Sequence, residues 1–486
     1  MHIKKIFFTL LSVLLIVSCG GDTLNDTTNN NDNASKNDDS NKNNTTNTPK
    51  VNNPTEIKDN LLLANSNIDI SLDNPLYKSF GIGFGSAGAF PFENKQDASK
   101  PIWLSSIDLI IDDNIENNKY YADIVKFDSG AFDVLQQKLK STKYVTYWLT
   151  KGWKESWFSV TKIQKGMDKG VVPVFMYWYF GDELGGGFPS DDKVNDYKID
   201  NIKVSNFLHK LKGQKIVIME PEFNKNVIIE KIENQHKLAS IISDAIDKID
   251  SNSSDILYSL CMTDRGRRDI NSEFTTNCGY DNCSLGDISE WKKPEIVYQD
   301  LLDKNKLDFI SFQEMIAQFS RDPNKSTDWG TIIPIKYTDN EMGIEFLASR
   351  IVNFAKFLRN KYKKPVFMPF IGIGTATWND TNNNKNIEIS EIDYTGWESQ
   401  ANSVYIKLMA KKNELLGNNF FGFGIMSIFD DPQNDKGGYK FFLHNEYHLG
   451  AIKTSAIDGN ITNDNSNIYM LGDIVPKLNI IDTIFN

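Results

Sequence analysis

The sequence predicts an α/β fold: a (β/α)8 barrel of the TIM type with an insertion after its first strand and a C-terminal extension, preceded by a disordered tether. Three observations predict it. Eight short β-rich runs alternate with helical patterns from residue 80 onward. Several of the runs are apolar on successive residues, as strands covered on both faces must be. The phosphate-binding loop usual for an open nucleotide-binding sheet is missing, which favours the closed barrel over the doubly wound alternative.

The eight runs fall at residues 80–84, 144–149, 171–180, 216–220, 256–262, 309–312, 365–370 and 421–428. Lys215-Ile216-Val217-Ile218-Met219 shows the continuous apolar character most clearly. Between the runs, Leu238, Ile241, Ile242, Ala245, Ile246 and Ile249 recur at helical spacing, as do Ile344, Leu347, Ile351, Phe354 and Leu358. Shorter helical patterns cover 132–139, 204–211, 295–302 and 404–416. Residues 90–126 read as the insertion, and 451–486 as an extension without an assigned place.

Ahead of the barrel the chain has a different character. Residues 1–18 carry Lys4 and Lys5 and then an apolar run over 6–17, too short to span a bilayer, and so read as a signal peptide. The sequence Ile16-Val17-Ser18-Cys19-Gly20 resembles the lipobox of bacterial lipoproteins. The resemblance implies cleavage before Cys19, its lipidation, and anchoring to the cell envelope at the outer membrane or cell surface. Residues 19–60 are nearly all Asn, Asp, Thr, Ser and Lys, with too little apolar surface to fold. Such a tether holds the domain that follows, 61–486, about 35 Å from its anchor on average.

The formal charge of −11 argues against a nucleic-acid partner, whose phosphates require a basic face. Cys278 and Cys283 flank a short loop and could form a small disulfide in an exported protein. Cys261 lies in an apolar run and reads as a core residue. No cofactor or metal is expected. Gly83-Phe84-Gly85-Ser86-Ala87-Gly88 matches the dinucleotide pattern in form only, because no helix follows, and the acidic stretch from Asp380 lacks the turn glycine of a calcium loop.

In a (β/α)8 barrel, chemistry sits at the C-terminal ends of the strands. Strand four ends in Glu220-Pro221-Glu222. In extended chain, residues two apart face one side, so both glutamates are expected to project into the barrel mouth. Two carboxylates so placed repel, which separates their proton affinities and lets one act as acid and the other as base or nucleophile. Glu222 is the expected general acid, with Glu220 or Glu314, at the end of strand six, as its partner. Asp182, Asp264, Arg265 and Asp430 converge on the mouth from neighbouring strand ends. Trp148, Tyr177, Tyr179 and Trp378 offer aromatic faces on which sugar rings stack.

These strand-end motifs, with Lys364-Pro365-Val366-Phe367-Met368-Pro369-Phe370, Phe423-Gly424-Ile425-Met426 and Gly437-Gly438-Tyr439, resemble the secreted barrels of the glycoside-hydrolase superfamily. The resemblance implies carbohydrate cleavage with a strand-four acid, at Glu220 or Glu222. The chain departs from the retaining pattern that places a nucleophile on strand seven, which here reads Ile371-Gly372-Ile373-Gly374-Thr375. The expected function is a surface-tethered glycoside hydrolase acting on a polysaccharide. The alternative is a glycan-binding or polysaccharide-secretion accessory lipoprotein that does not cut.

Overall fold

The structure, a computed structural model, describes residues 70–85, 90–92, 102–104, 106–111, 129–181, 183–251, 255–263, 291–316, 341–375, 377–378, 387–388, 392–393, 397–429, 450–456, 460–461 and 471–486. The pairing and packing given below are those of the described residues.

Eight parallel strands close on themselves. They are β1 (Gly81–Gly85), β2 (Tyr144–Thr150), β3 (Val172–Trp178), β4 (Lys215–Met219), β5 (Ile256–Met262), β6 (Ile310–Phe312), β7 (Val366–Ile373) and β8 (Phe420–Ile425). Each pairs with the next, and β8 pairs with both β7 and β1, so the ring has no open edge. β6 breaks at Gln313 and resumes over Glu314–Ile316, still beside β7. All eight strands were expected, with ends shifted by a few residues.

Alternation along each strand sorts the side chains into two layers. Val172, Val174, Met176 and Trp178 of β3 and Ile216 and Ile218 of β4 fill the lumen, together with Tyr144, Trp148, Phe367 and Phe421. Phe175, Tyr177, Val217 and Met219 face the helices instead. Neighbouring strands approach closely at several points, and glycines on β1 and β8 allow it. A Cβ on Gly85 would run into the Met426 carbonyl oxygen, and one on Gly424 would crowd that of Pro369. Gly83 and Gly85 of the false dinucleotide motif therefore serve close strand packing.

Seven helices follow strands β1 to β7: α1 (Ser129–Leu139), α2 (Val160–Asp168), α3 (Asp191–Leu208), α4 (Ile232–Asp250), α5 (Glu295–Asp303), α6 (Glu341–Tyr362) and α7 (Trp397–Ala410). α3 starts well before the expected 204–211. Ahead of Val204 it buries only Tyr197 and Asn201 while Ile199 and Ile202 point outward, so apolar spacing marks the last turns alone.

The extension that could not be placed from sequence supplies the eighth helix, α8 (Leu478–Phe485). It packs between α7 and α1. The Thr483 hydroxyl donates to Asn402 Oδ1 at 2.8 Å and Lys138 Nζ to Asn486 Oδ1 at 2.6 Å. Ahead of α8, Lys477 is fully buried and donates to the Thr375 hydroxyl at 2.8 Å and the Gly450 carbonyl at 2.6 Å. Insertion and extension also meet: Phe90–Phe92 and Ile102–Leu104 join Ser427–Phe429, Gly450–Ala456 and Leu471–Pro476 in a second sheet of five strands.

The lumen is closed at the N-terminal ends of the strands. One 3-10 turn, Pro75–Lys78, is capped by Asn74, whose Oδ1 accepts from Leu76 N at 2.9 Å. The turn inserts Leu76 and Tyr77 beneath Phe421, with the Tyr77 ring 5.1 Å from that of Phe421. Among the described residues, no helix is long and apolar enough to cross a membrane.

Candidate functional site

The end of β4 departs from extended geometry at two positions. Glu220 has φ 41° and Glu222 φ 62°, both in the left-handed region that costs an L-residue roughly 1–3 kcal/mol. Sequence alternation assumed a straight strand, and these two reversals overturn its result: the two carboxylates leave in opposite directions.

Glu220 turns into the layer between barrel and helices. Its Oε1 accepts from Tyr179 N at 3.2 Å and its Oε2 from Phe180 N at 3.1 Å, with Tyr197 of α3 beside it. Complete burial pushes its pKa up to about 8, against the pull of the Phe180, Tyr179 and Gly181 N–H groups and the Tyr197 hydroxyl. The side chain clamps the end of β3 to the end of β4.

Glu222 turns over the lumen. Lys225 Nζ sits 2.8 Å from its Oε2, and Gln313 Nε2 donates to its Oε1 at 2.6 Å. Gln313 Nε2 also reaches the Thr263 hydroxyl at 3.1 Å. The Glu222 backbone N–H donates to the Cys261 carbonyl at 2.8 Å. Its carboxylate adds to the effect of burial in raising the pKa of the Cys261 thiol beneath it. Asn224 exchanges two bonds with the Thr263 backbone, at 3.0 and 2.8 Å. The ends of β4, β5 and β6 are thus knitted around one carboxylate, 2 % exposed, whose charge is met by a buried ammonium.

Glu314 does not face it. Phe309 points into the lumen and Phe312 out of it, so alternation sends Gln313 inward and Glu314 outward. Glu314 Oε2 lies 3.3 Å from Arg350 Nε of α6, and the Arg350 guanidinium sits 5.5 Å from the centre of the Trp291 ring. The expectation preferred Glu314 for its charge, but the inward position belongs to Gln313.

The aromatic candidates divide in the same way. Tyr177 is buried under α3, its ring stacked 5.3 Å from Tyr197 and its hydroxyl lying 3.0 Å from Asp200 Oδ2 and 2.9 Å from Asn201 Oδ1, away from the mouth. Tyr179 packs on Tyr197 at 5.1 Å, with Lys151 over its ring. Trp148 faces the lumen, 5.8 Å from Trp178 and 5.4 Å from Phe370. Trp378 lies in the short strand Thr377–Trp378, paired with Ile392–Asp393. Cys261 is a buried free thiol, as expected. Asp182, Asp264, Arg265, Asp430, Cys19, Cys278 and Cys283 lie outside the described residues. Lys225 was not singled out from sequence; Gln313 was passed over for its charged neighbour Glu314, and Trp178 stands with Tyr177 and Tyr179 among the aromatics at the end of the third run. Alternation in β6 would have found Gln313, whereas Lys225 becomes visible only once the turn after Glu222 is known.

No family model matches the sequence, and no curated protein matches it. Among solved structures the chain is similar to β-glucosidase from Thermotoga maritima in complex with deoxynojirimycin, with 13% identity, a TM-score of 0.41, and 80% of this chain and 97% of that one covered. It is similar to the family 1 β-glucosidase of the same organism at 12% identity and a TM-score of 0.41, covering 84% and 96%. The complex with glucoimidazole gives 11% identity and 0.42, covering 80% and 96%. The assignment of a closed (β/α)8 barrel here rests on the strand pairing of this chain.

Proposed function

We propose that the protein is a glycoside hydrolase that acts on a polysaccharide at the C-terminal mouth of its barrel, with Glu222 as the carboxylate that serves the reaction. The observation carrying this reading is that the strained end of β4 turns Glu222 over the lumen and holds it between Lys225 and Gln313. An anion paired with a buried ammonium suits a base or nucleophile better than the proton donor that sequence suggested. The donor is then sought at Asp264, which follows Thr263 directly in the chain, or at Asp430 after β8. An envelope anchor through Cys19 belongs to the same proposal, the tether bringing the mouth to a polymer too large to diffuse.

The test assays the mature chain for new reducing ends on a panel of polysaccharides, beside Glu222→Gln, Asp264→Asn and Asp430→Asn. A fall of 100-fold or more in Glu222→Gln supports the reading, and undiminished activity in that variant overturns it. A second reading, a barrel that binds glycan without cutting it, is favoured by the outward turn of both Glu220 and Glu314, which leaves the partner carboxylate unassigned. Retention on a glycan in affinity electrophoresis with no product from any polymer would establish it. Replacing Cys19 by Ala tests the anchor, which predicts release of the protein from the membrane fraction.

A further inference from the structure

Two buried donors in the lumen are spent on nothing among the described residues. Trp148, on β2, and Trp178, the last residue of β3, are each 6 % exposed, and neither indole N–H has a hydrogen-bond partner among the described residues. The Gln313 Oε1 acceptor is likewise without one, while the other end of that amide holds Glu222. A buried polar group left unpaired costs about 1–3 kcal/mol. Phenylalanine would fill a lumen without that cost, as Phe367, Phe370 and Phe421 do in the same lumen. The two rings meet edge to face at 71°, and a Cβ on Gly181 would come within 3.4 Å of the Trp178 ring, so a residue without one leaves that ring its place.

We propose that Trp148 N–H, Trp178 N–H and Gln313 Oε1 form the floor of a subsite for an uncharged sugar residue. The indoles donate to its oxygens, and the amide accepts from one of its hydroxyls. The proposal rests on the glycan reading above and names the class of sugar. A ligand that takes two neutral donors and one neutral acceptor from an aromatic wall has hydroxyls at its rim and C–H faces between them. The cation beside this floor, Lys225, is engaged with Glu222, so the described wall offers a sugar carboxylate or sulfate no charge of its own.

The experiment uses the full chain, Trp148→Phe, Trp178→Phe and the double variant, in affinity electrophoresis against neutral and uronate-containing polysaccharides. Each single change is expected to weaken retention on a neutral glycan about tenfold, the worth of one hydrogen bond of about 1.4 kcal/mol. In parallel, the wild-type chain labelled at its indole nitrogens is titrated with a neutral oligosaccharide released from the retained polymer. Movement of the two N–H resonances that vanish in Trp148→Phe and Trp178→Phe supports the subsite without relying on either variant's stability. Neutral-glycan retention unchanged in the double variant, resonances that stay still, or retention of charged glycans alone would overturn it and leave the hydrolase reading standing. A wild-type chain that retains and cleaves no glycan overturns both.

Discussion

Gln313 Nε2 spans from the break in β6 to Glu222 Oε1 at the strained end of β4, 2.6 Å away, while Lys225 holds the other carboxylate oxygen at 2.8 Å. Both oxygens are therefore oriented from opposite sides by groups that are themselves buried. Such support from neighbouring side chains fixes a reacting group to a fraction of an ångström.

Removing the amide with Gln313→Leu takes one donor away from a buried carboxylate. The expected cost is about 1–3 kcal/mol of stability, read from the urea midpoint. Glycan turnover should fall at least tenfold, because Glu222 loses its orientation. Turnover equal to wild type would show that Gln313 does not position the carboxylate.

Glu220 makes stability depend on pH. Its folded pKa of about 8 stands above the ordinary 4.5, so the folded state holds the proton more tightly. The stability this contributes is complete below pH 4.5 and is lost as pH rises through 8, on the order of 5 kcal/mol at 1.36 kcal/mol for each unit. Denaturation of wild type and Glu220→Gln between pH 4.5 and 9 should give curves whose difference has this slope. Parallel curves would contradict a buried, protonated Glu220.

Tyr177 separates structure from binding. With its hydroxyl bonded to Asp200 and Asn201 under α3, Tyr177→Phe should lose about 1–3 kcal/mol in chemical denaturation and keep wild-type glycan turnover. A variant of normal stability with impaired turnover would instead place the ring in contact with substrate.

Gly85→Ala sets a methyl group against the Met426 carbonyl where β1 meets the chain leaving β8. Backbone on both sides leaves little room to yield, and the expected outcome is a chain that expresses poorly or melts at least 10 °C lower. An unchanged melting curve would refute the close approach.

The barrel was legible because eight apolar runs such as Ile216-Val217-Ile218-Met219 and the helical stripe of Leu238 to Ile249 are written locally, in residues that neighbour one another. Glu222 was legible too, since it follows a well-marked strand end. The direction of Glu220 was not, because a left-handed residue that is not glycine leaves no mark in composition. Glu314 misled for a related reason: charge drew attention to it, while the period of two in β6 assigned the inward place to the neutral Gln313. The eighth helix was hidden by distance, α8 lying beyond a second sheet whose partners come from both ends of the chain.

The turn at Pro75–Lys78 also gives the molecule a direction. Because Leu76 and Tyr77 stopper the lumen at the end where the strands begin, chain arriving from the N-terminal side enters at the pole opposite Glu222. An object held by that pole is held by its base. Whatever precedes the turn in the chain therefore joins the barrel at its base, with the length of the strands between that joint and the carboxylate at the mouth.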